Sequence, residues 1–127
     1  MTKEYPIIFN SEMLQAILDG RKTQTRRIPS DKNANWKVGD RLCVKAEWGL
    51  ECSLGISLEI VGLRNEKLHS ITIDDRHAEG CPPEKTTSFE TVIWFMGVWD
   101  SCYTEKGQRW SDNPAVLVVE FKKVKDE

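Results

Sequence analysis

The chain has 127 residues, with 18 basic against 20 acidic side chains and a net charge of −2 at pH 7. That length fits one domain (1–127) around one core, and 39% hydrophobic with 30% charged residues excludes a low-complexity or disordered chain. A near-neutral charge excludes a protein that coats duplex nucleic acid by charge alone, so any such contact must be a local patch.

No apolar run approaches the roughly 18 residues that span a bilayer, and the opening MTKEYP reads as no signal peptide. The expected home is a cytoplasm, with no membrane partner. PIIF (6–9) is a short apolar strand. Asn10 or Ser11 can accept a hydrogen bond from a first helical turn, so a helix starts there. Met13, Leu14, Ile17 and Leu18 recur at helical spacing and make its buried face. Gly20 supplies the left-handed residue that closes such a helix. KTQTRRI then leans to strand through its threonines and stops at Pro29.

Residues 29–37 form a polar loop, and VGD (38–40) a turn. RLCVKAEW (41–48) alternates Leu42, Val44 and Ala46 with Arg41, Cys43, Lys45 and Glu47, the period of a strand with one buried face. A long strand runs through SLEIVGLRNEKLHSI, with Gly62 as a candidate bulge. TIDDRHAEG predicts one short helix, capped by Thr72 and stopped by Gly80, with Asp74 and Asp75 favouring its dipole. Thr87 or Ser88 caps a third helix, FETVIWFMGVWDSCY, whose packed side is read as Phe89, Val92, Ile93, Met96, Trp99 and Tyr103. A loop containing Trp110 leads into AVLVVEFKKV, an apolar strand that belongs in the middle of a sheet. Strands outnumber helices, which predicts an α+β domain: a small β-barrel with two or three flanking helices.

The four cysteines (Cys43, Cys52, Cys81, Cys102) form no CxxC pair, and His69 and His77 lack zinc-like spacing to them. The expectation is reduced thiols, no metal and no cofactor. The densest basic cluster is GRKTQTRR (20–27), at the end of the first helix. Its arginines can contact phosphate, and tryptophans offer stacking platforms for unpaired bases. Trp36, Trp48 and Trp110 fall in or beside loops and are the candidates for an exposed stack; Trp99 is read as core.

Three pieces together, ILDGRKTQTRR, VGDRLCVKAEW and VLVVEFKKV, resemble the ASCH domain, a PUA-like β-barrel related to RNA-binding modules. The most specific part is G-x-K-x-x-x-x-R, met by Gly20, Lys22 and Arg27. HAEG, VWDSCY and W-x-x-NP are similar to the form found in phage and prophage genomes. The resemblance implies one of several activities. Some family members are amidohydrolases that remove acyl groups from the exocyclic amine of cytidine with a lysine, a threonine and a glutamate. Others are RNA-binding modules, and ribonuclease activity has been proposed for some. A phage accessory protein acting by protein–protein contact is a further alternative.

Carried over, the catalytic lysine and threonine are Lys22 and Thr25. The family's acid follows the HAE segment by two positions, where this chain has Cys81. Glu79 is the nearest carboxylate, with Glu47 and Glu84 behind it. Arg21, Arg26, Arg27, Lys45, Trp48 and Trp110 are the expected contacts to RNA or a modified nucleoside. A threonine hydroxyl needs a base, and a lysine is one when burial or neighbouring cations depress its pKa. In a regular strand Lys22 and Thr25 point to opposite faces. Their convergence therefore requires irregular backbone after Gly20.

Overall fold

The computed structural model describes residues 2–46 and 55–124. Five strands form one mixed sheet: β1 (Glu4–Ile8), β2 (Gln24–Arg27), β3 (Arg41–Lys45), β4 (Ser57–Lys67) and β5 (Ala115–Lys123). Three α-helices accompany them: α1 (Ser11–Leu18), α2 (Ile73–Ala78) and α3 (Ser88–Cys102). The strand order is β1-β3-β4-β5-β2. β1 and β3 run parallel, and every other neighbouring pair is antiparallel. The α+β class therefore stands. Among the described residues no ladder joins the edge strands β1 and β2, so the barrel is open along that seam.

Local signals set the helix boundaries. The Asn10 side chain accepts from Met13 N at 2.9 Å, a cap contributing about 1 kcal/mol. Thr72 caps α2 through Asp75 N, and Thr87 forms a reciprocal capping box with Glu90 on α3. The bulge in β4 falls between Ile60 and Gly62 as a shift in its register with β5.

β5 explains the two-sided core. Val119 and Phe121 pack in a cluster with Ile7, Phe9, Met13, Ile17, Leu42 and Ile60. Val116 and Val118 pack in another with Leu68, Ile71, Phe95 and Trp99. Because successive side chains point to opposite faces, the stretch covered on both sides, Val116–Val119, is apolar at every position.

Several expectations are corrected. Of the side read as packed on α3, Phe89 is 73% and Ile93 51% exposed, and the buried residues are Thr91, Phe95 and Trp99. The helix is apolar nearly all round, so its periodicity selects no face. Trp36 is buried in the first core cluster rather than exposed. β3 ends at Lys45, and Glu47 and Trp48 lie outside the described residues. Cys43 is disulfide-bonded, against the expectation of reduced thiols, whereas Cys81 and Cys102 are free.

Candidate functional site

The end of α1 and the end of α2 meet over the start of β2. Arg21 N and Lys22 N both donate to Ala16 O, which turns the chain sharply after Gly20 (φ +79°). Thr23 N donates to Ala78 O, and Arg21 Nη1 to Gly80 O, so the chain entering β2 is tied to the last turn of α2. Gly80 has φ +113°, and a Cβ there would lie 3.3 Å from Ala16 Cβ and 3.7 Å from Lys22 Cβ. Only glycine permits both the conformation and the approach. Arg76 fixes the other side of α2, donating to Ser88 O and to the Thr91 hydroxyl of α3.

This packing carries Glu79 onto Lys22. Lys22 Nζ donates to Gln24 O (2.9 Å), Glu79 O (2.8 Å) and Glu79 Oε1 (3.2 Å), with the residue only 4% exposed. All three ammonium protons are thereby used. Burial pushes the Lys22 ammonium below the ordinary lysine range; Glu79 pulls the other way, and Arg27 and Arg26 add to the depression.

Lys22, Thr25, Arg27 and Glu79 line one cleft of about 100 Å³, which shares Ile8, Asn10, Arg27 and Tyr103 with a neighbouring hollow of about 560 Å³. The hollow falls within the roughly 300–1,000 Å³ typical of small-molecule sites, and the cleft by itself is smaller. The cleft's apolar walls come from both core clusters, among them Phe9, Met13, Phe95 and Trp99. It lies at the open seam. Arg27 Nη2 donates to Ile8 O at 2.8 Å, bridging β2 to β1, and Nε reaches Thr25 Oγ1 at 3.3 Å. The Arg27 guanidinium also sits 4.9 Å from the centre of the Phe9 ring, and burial lowers its pKa. No hydrogen bond joins Lys22 to Thr25 among the described residues. They share the cleft because Lys22 precedes the first ladder pair of β2.

Arg26 also borders the cleft, and the remaining expected residues lie outside its lining. Arg26 is not available to a phosphate: its side chain is fully buried. It pairs with Glu66 (2.6 Å), Asp75 (3.1 Å) and Glu79 (3.0 Å), and also donates to Gln24 Oε1. Asp75 thus does more than favour a helix dipole. Burial opposes its charge, but the Gln24 hydrogen bond and the Arg26 and Arg64 charges hold its carboxyl below the usual range. Arg21 is half-buried, with its guanidinium on Gly80 O and Asp19. Trp110 lies in a 3-10 turn, its ring 4.3 Å from that of His69 and tilted to it by 36°, and edge-on to Phe95, outside the cleft lining. Lys45 and Glu84 are also absent from that lining, and Glu84 is exposed.

Sequence reading missed the aromatic wall. Trp99 is core as read, but it also stacks on Tyr103 at 4.3 Å and 29°, and both line the cleft. The Tyr103 hydroxyl accepts from Ile28 N at 3.3 Å, which holds the end of α3 to the end of β2. The i, i+4 spacing of Trp99 and Tyr103 was a legible signal for a stacked pair. Among the described residues no group of three or more His, Cys, Asp or Glu side chains could hold a metal ion. No helix there is long and apolar enough to cross a membrane.

This mixed sheet with its helices has the fold of solved ASCH domains. The ASCH domain of Lactobacillus crispatus aligns with a TM-score of 0.63 at 16% identity, covering 95% of this chain and 79% of that one. The ASCH protein of Zymomonas mobilis aligns at 0.53 and 15%, covering 94% and 67%. A Pyrococcus furiosus protein solved in solution aligns at 0.60 and 15%, covering 97% and 99%. The chain has an ASCH-domain fold. No family model and no curated protein matches its sequence.

Proposed function

We propose that this chain hydrolyses the amide of an N-acylated cytidine, bound as a single nucleoside across the seam cleft and the hollow beside it. The observation that supports this most is the convergence of a buried lysine of depressed pKa, a threonine hydroxyl and a carboxylate on one aromatic-walled cleft. In this reading the nucleobase stacks against the Trp99–Tyr103 wall. Lys22, in its neutral form, takes the Thr25 hydroxyl proton as the oxygen attacks the acyl carbon. For this, Nζ must leave one of its present acceptors for Thr25. Arg27, already at 3.3 Å from that oxygen, supplies positive charge to the developing oxyanion. The Lys22 ammonium returns its proton to the departing exocyclic amine, and water then releases the acyl group from Thr25. Glu79 steadies the ammonium between the two transfers.

RNA held by its phosphates draws less support from residues 20–27. Arg26 is spent on carboxylates, and Arg21 and Arg27 donate to main-chain oxygens. The test is turnover of an N-acylcytidine by the wild-type protein and by Thr25→Ala. Release of cytidine that falls by about 10²–10⁴-fold in the variant supports the reading. No release by the wild type, or undiminished release by Thr25→Ala, overturns it.

A further inference from the structure

Behind the cleft, charged side chains alternate in sign from the surface to the buried lysine. Register places Gln24, Arg26, Arg64, Glu66 and Glu120 on one sheet face, the face of Val116 and Val118. Glu120 pairs with Arg64 at 2.5 Å; Arg64 pairs with Asp75 at 3.0 Å and Glu66 at 3.4 Å. Asp75 and Glu66 pair with Arg26, and Arg26 pairs with Glu79. The two Glu79 oxygens are divided: Oε2 faces Arg26 at 3.0 Å and Oε1 faces Lys22 at 3.2 Å. Exposure falls along this line, from 45% for the Glu120 side chain and 38% for Arg64 to 0% for Arg26 and 2% for Lys22.

We infer that this ladder is a device that sets the protonation of Lys22, with Arg26 and Asp75 as positioning residues acting through Glu79. The inference rests on the catalytic reading of Lys22 given above. A lone Glu79 facing Lys22 would lock the proton on the amine and remove the base. Arg26 takes half of that carboxylate and adds its own positive charge, both of which ease proton release. Asp75 and Glu66 moderate Arg26, so that Lys22 is not left neutral at all pH values. The charged groups acting on Lys22 are Glu79 from the end of α2 and Arg26 and Arg27 from β2, with the Phe9 ring 5.6 Å away.

Two variants on the ladder must therefore move Lys22 in opposite directions. Arg26→Met removes a cation and frees Glu79 for Lys22, so the lysine titrates at higher pH. Asp75→Asn removes an anion and leaves Arg26 freer to hold Glu79, so the lysine titrates at lower pH. Asp75 is 22% exposed, and its loss leaves Arg26 with two carboxylates, which keeps a folded variant available if Arg26→Met fails to fold. The measurement is the NMR titration of the Lys22 side chain in protein labelled at lysine, assigned with Lys22→Met. The pH profile of hydrolysis is recorded beside it, and its acid limb should move with the titration. A Lys22 titration unchanged by Asp75→Asn, or displaced upward by it, overturns the inference. Titrations that shift as stated in a protein without turnover leave the ladder standing and overturn only the hydrolase reading.

Discussion

Replacing Arg26 by methionine tests whether this residue is a structural hub rather than a ligand contact. The side chain is fully buried and is shared by Glu66, Asp75 and Glu79 at 2.6–3.1 Å. Methionine restores much of the stem volume but none of the charge. Glu79 keeps Lys22, and Glu66 and Asp75 keep Arg64. Three cations facing four carboxylates become two. Removing one member of a buried ion pair costs about 3–5 kcal/mol. The lower end is expected here, because Glu66 and Asp75 retain 19% and 22% exposure and a second arginine. The loss must also depend on pH. The Asp75 carboxyl is held below its usual range in the folded protein, so its contribution is complete above the unfolded value of 3.8 and vanishes as pH falls through the folded one. The variant has less of this to lose, so the stability gap narrows in acid. Urea unfolding at about pH 7 and about pH 3.5 reads both effects. A gap under about 1 kcal/mol near neutrality, or one that is the same at both pH values, would refute the hub.

Lys22→Met should lower N-acylcytidine hydrolysis by about 10²–10⁴-fold while nucleoside affinity changes little, read by kcat and by direct binding. The same variant should lose a pH-dependent gain in stability. The folded Lys22 releases its proton below 10.5, so the unfolded chain binds more protons and wild-type stability rises with pH toward that value. A wild-type curve parallel to that of the variant up to about pH 10 contradicts the buried lysine. Gly80→Ala should cost about 1–3 kcal/mol in unfolding free energy, because φ +113° is strained for any side chain and the new Cβ crowds Ala16. An alanine variant as stable as the wild type would show that the approach of α2 to Lys22 is loose. Tyr103→Leu should weaken nucleoside binding by about 5–150-fold, the equivalent of roughly 1–3 kcal/mol of stacking. An unchanged KM removes the aromatic wall from the binding site.

What the sequence determined by itself was local. Asn10, Thr72 and Thr87 announced three helix starts because a cap involves residues only three positions apart. Gly20 and Gly80 marked helix ends, and the unbroken apolar run of β5 marked an interior strand. The GRKTQTRR segment was recognisable as unusual, and Lys22 with Thr25 as its candidates for chemistry. The division of labour among its cations was decided elsewhere. Arg26 and Arg27 are adjacent, yet β2 sends one to carboxylates 40 to 53 residues away and the other across the seam to Ile8. Nothing local distinguishes them, since the partners arrive on β4 and α2. The choice of Glu79 over Glu84 likewise depended on the close packing of α2 over α1 that Gly80 allows. The face of α3 was hidden for a related reason: a helix apolar nearly all round presents several acceptable sides. Trp99 and Tyr103 were legible on the packed side, but only the sheet and cleft it covers selected Phe95 over Phe89 and Ile93, because burial depends on what lies opposite rather than on the residue alone.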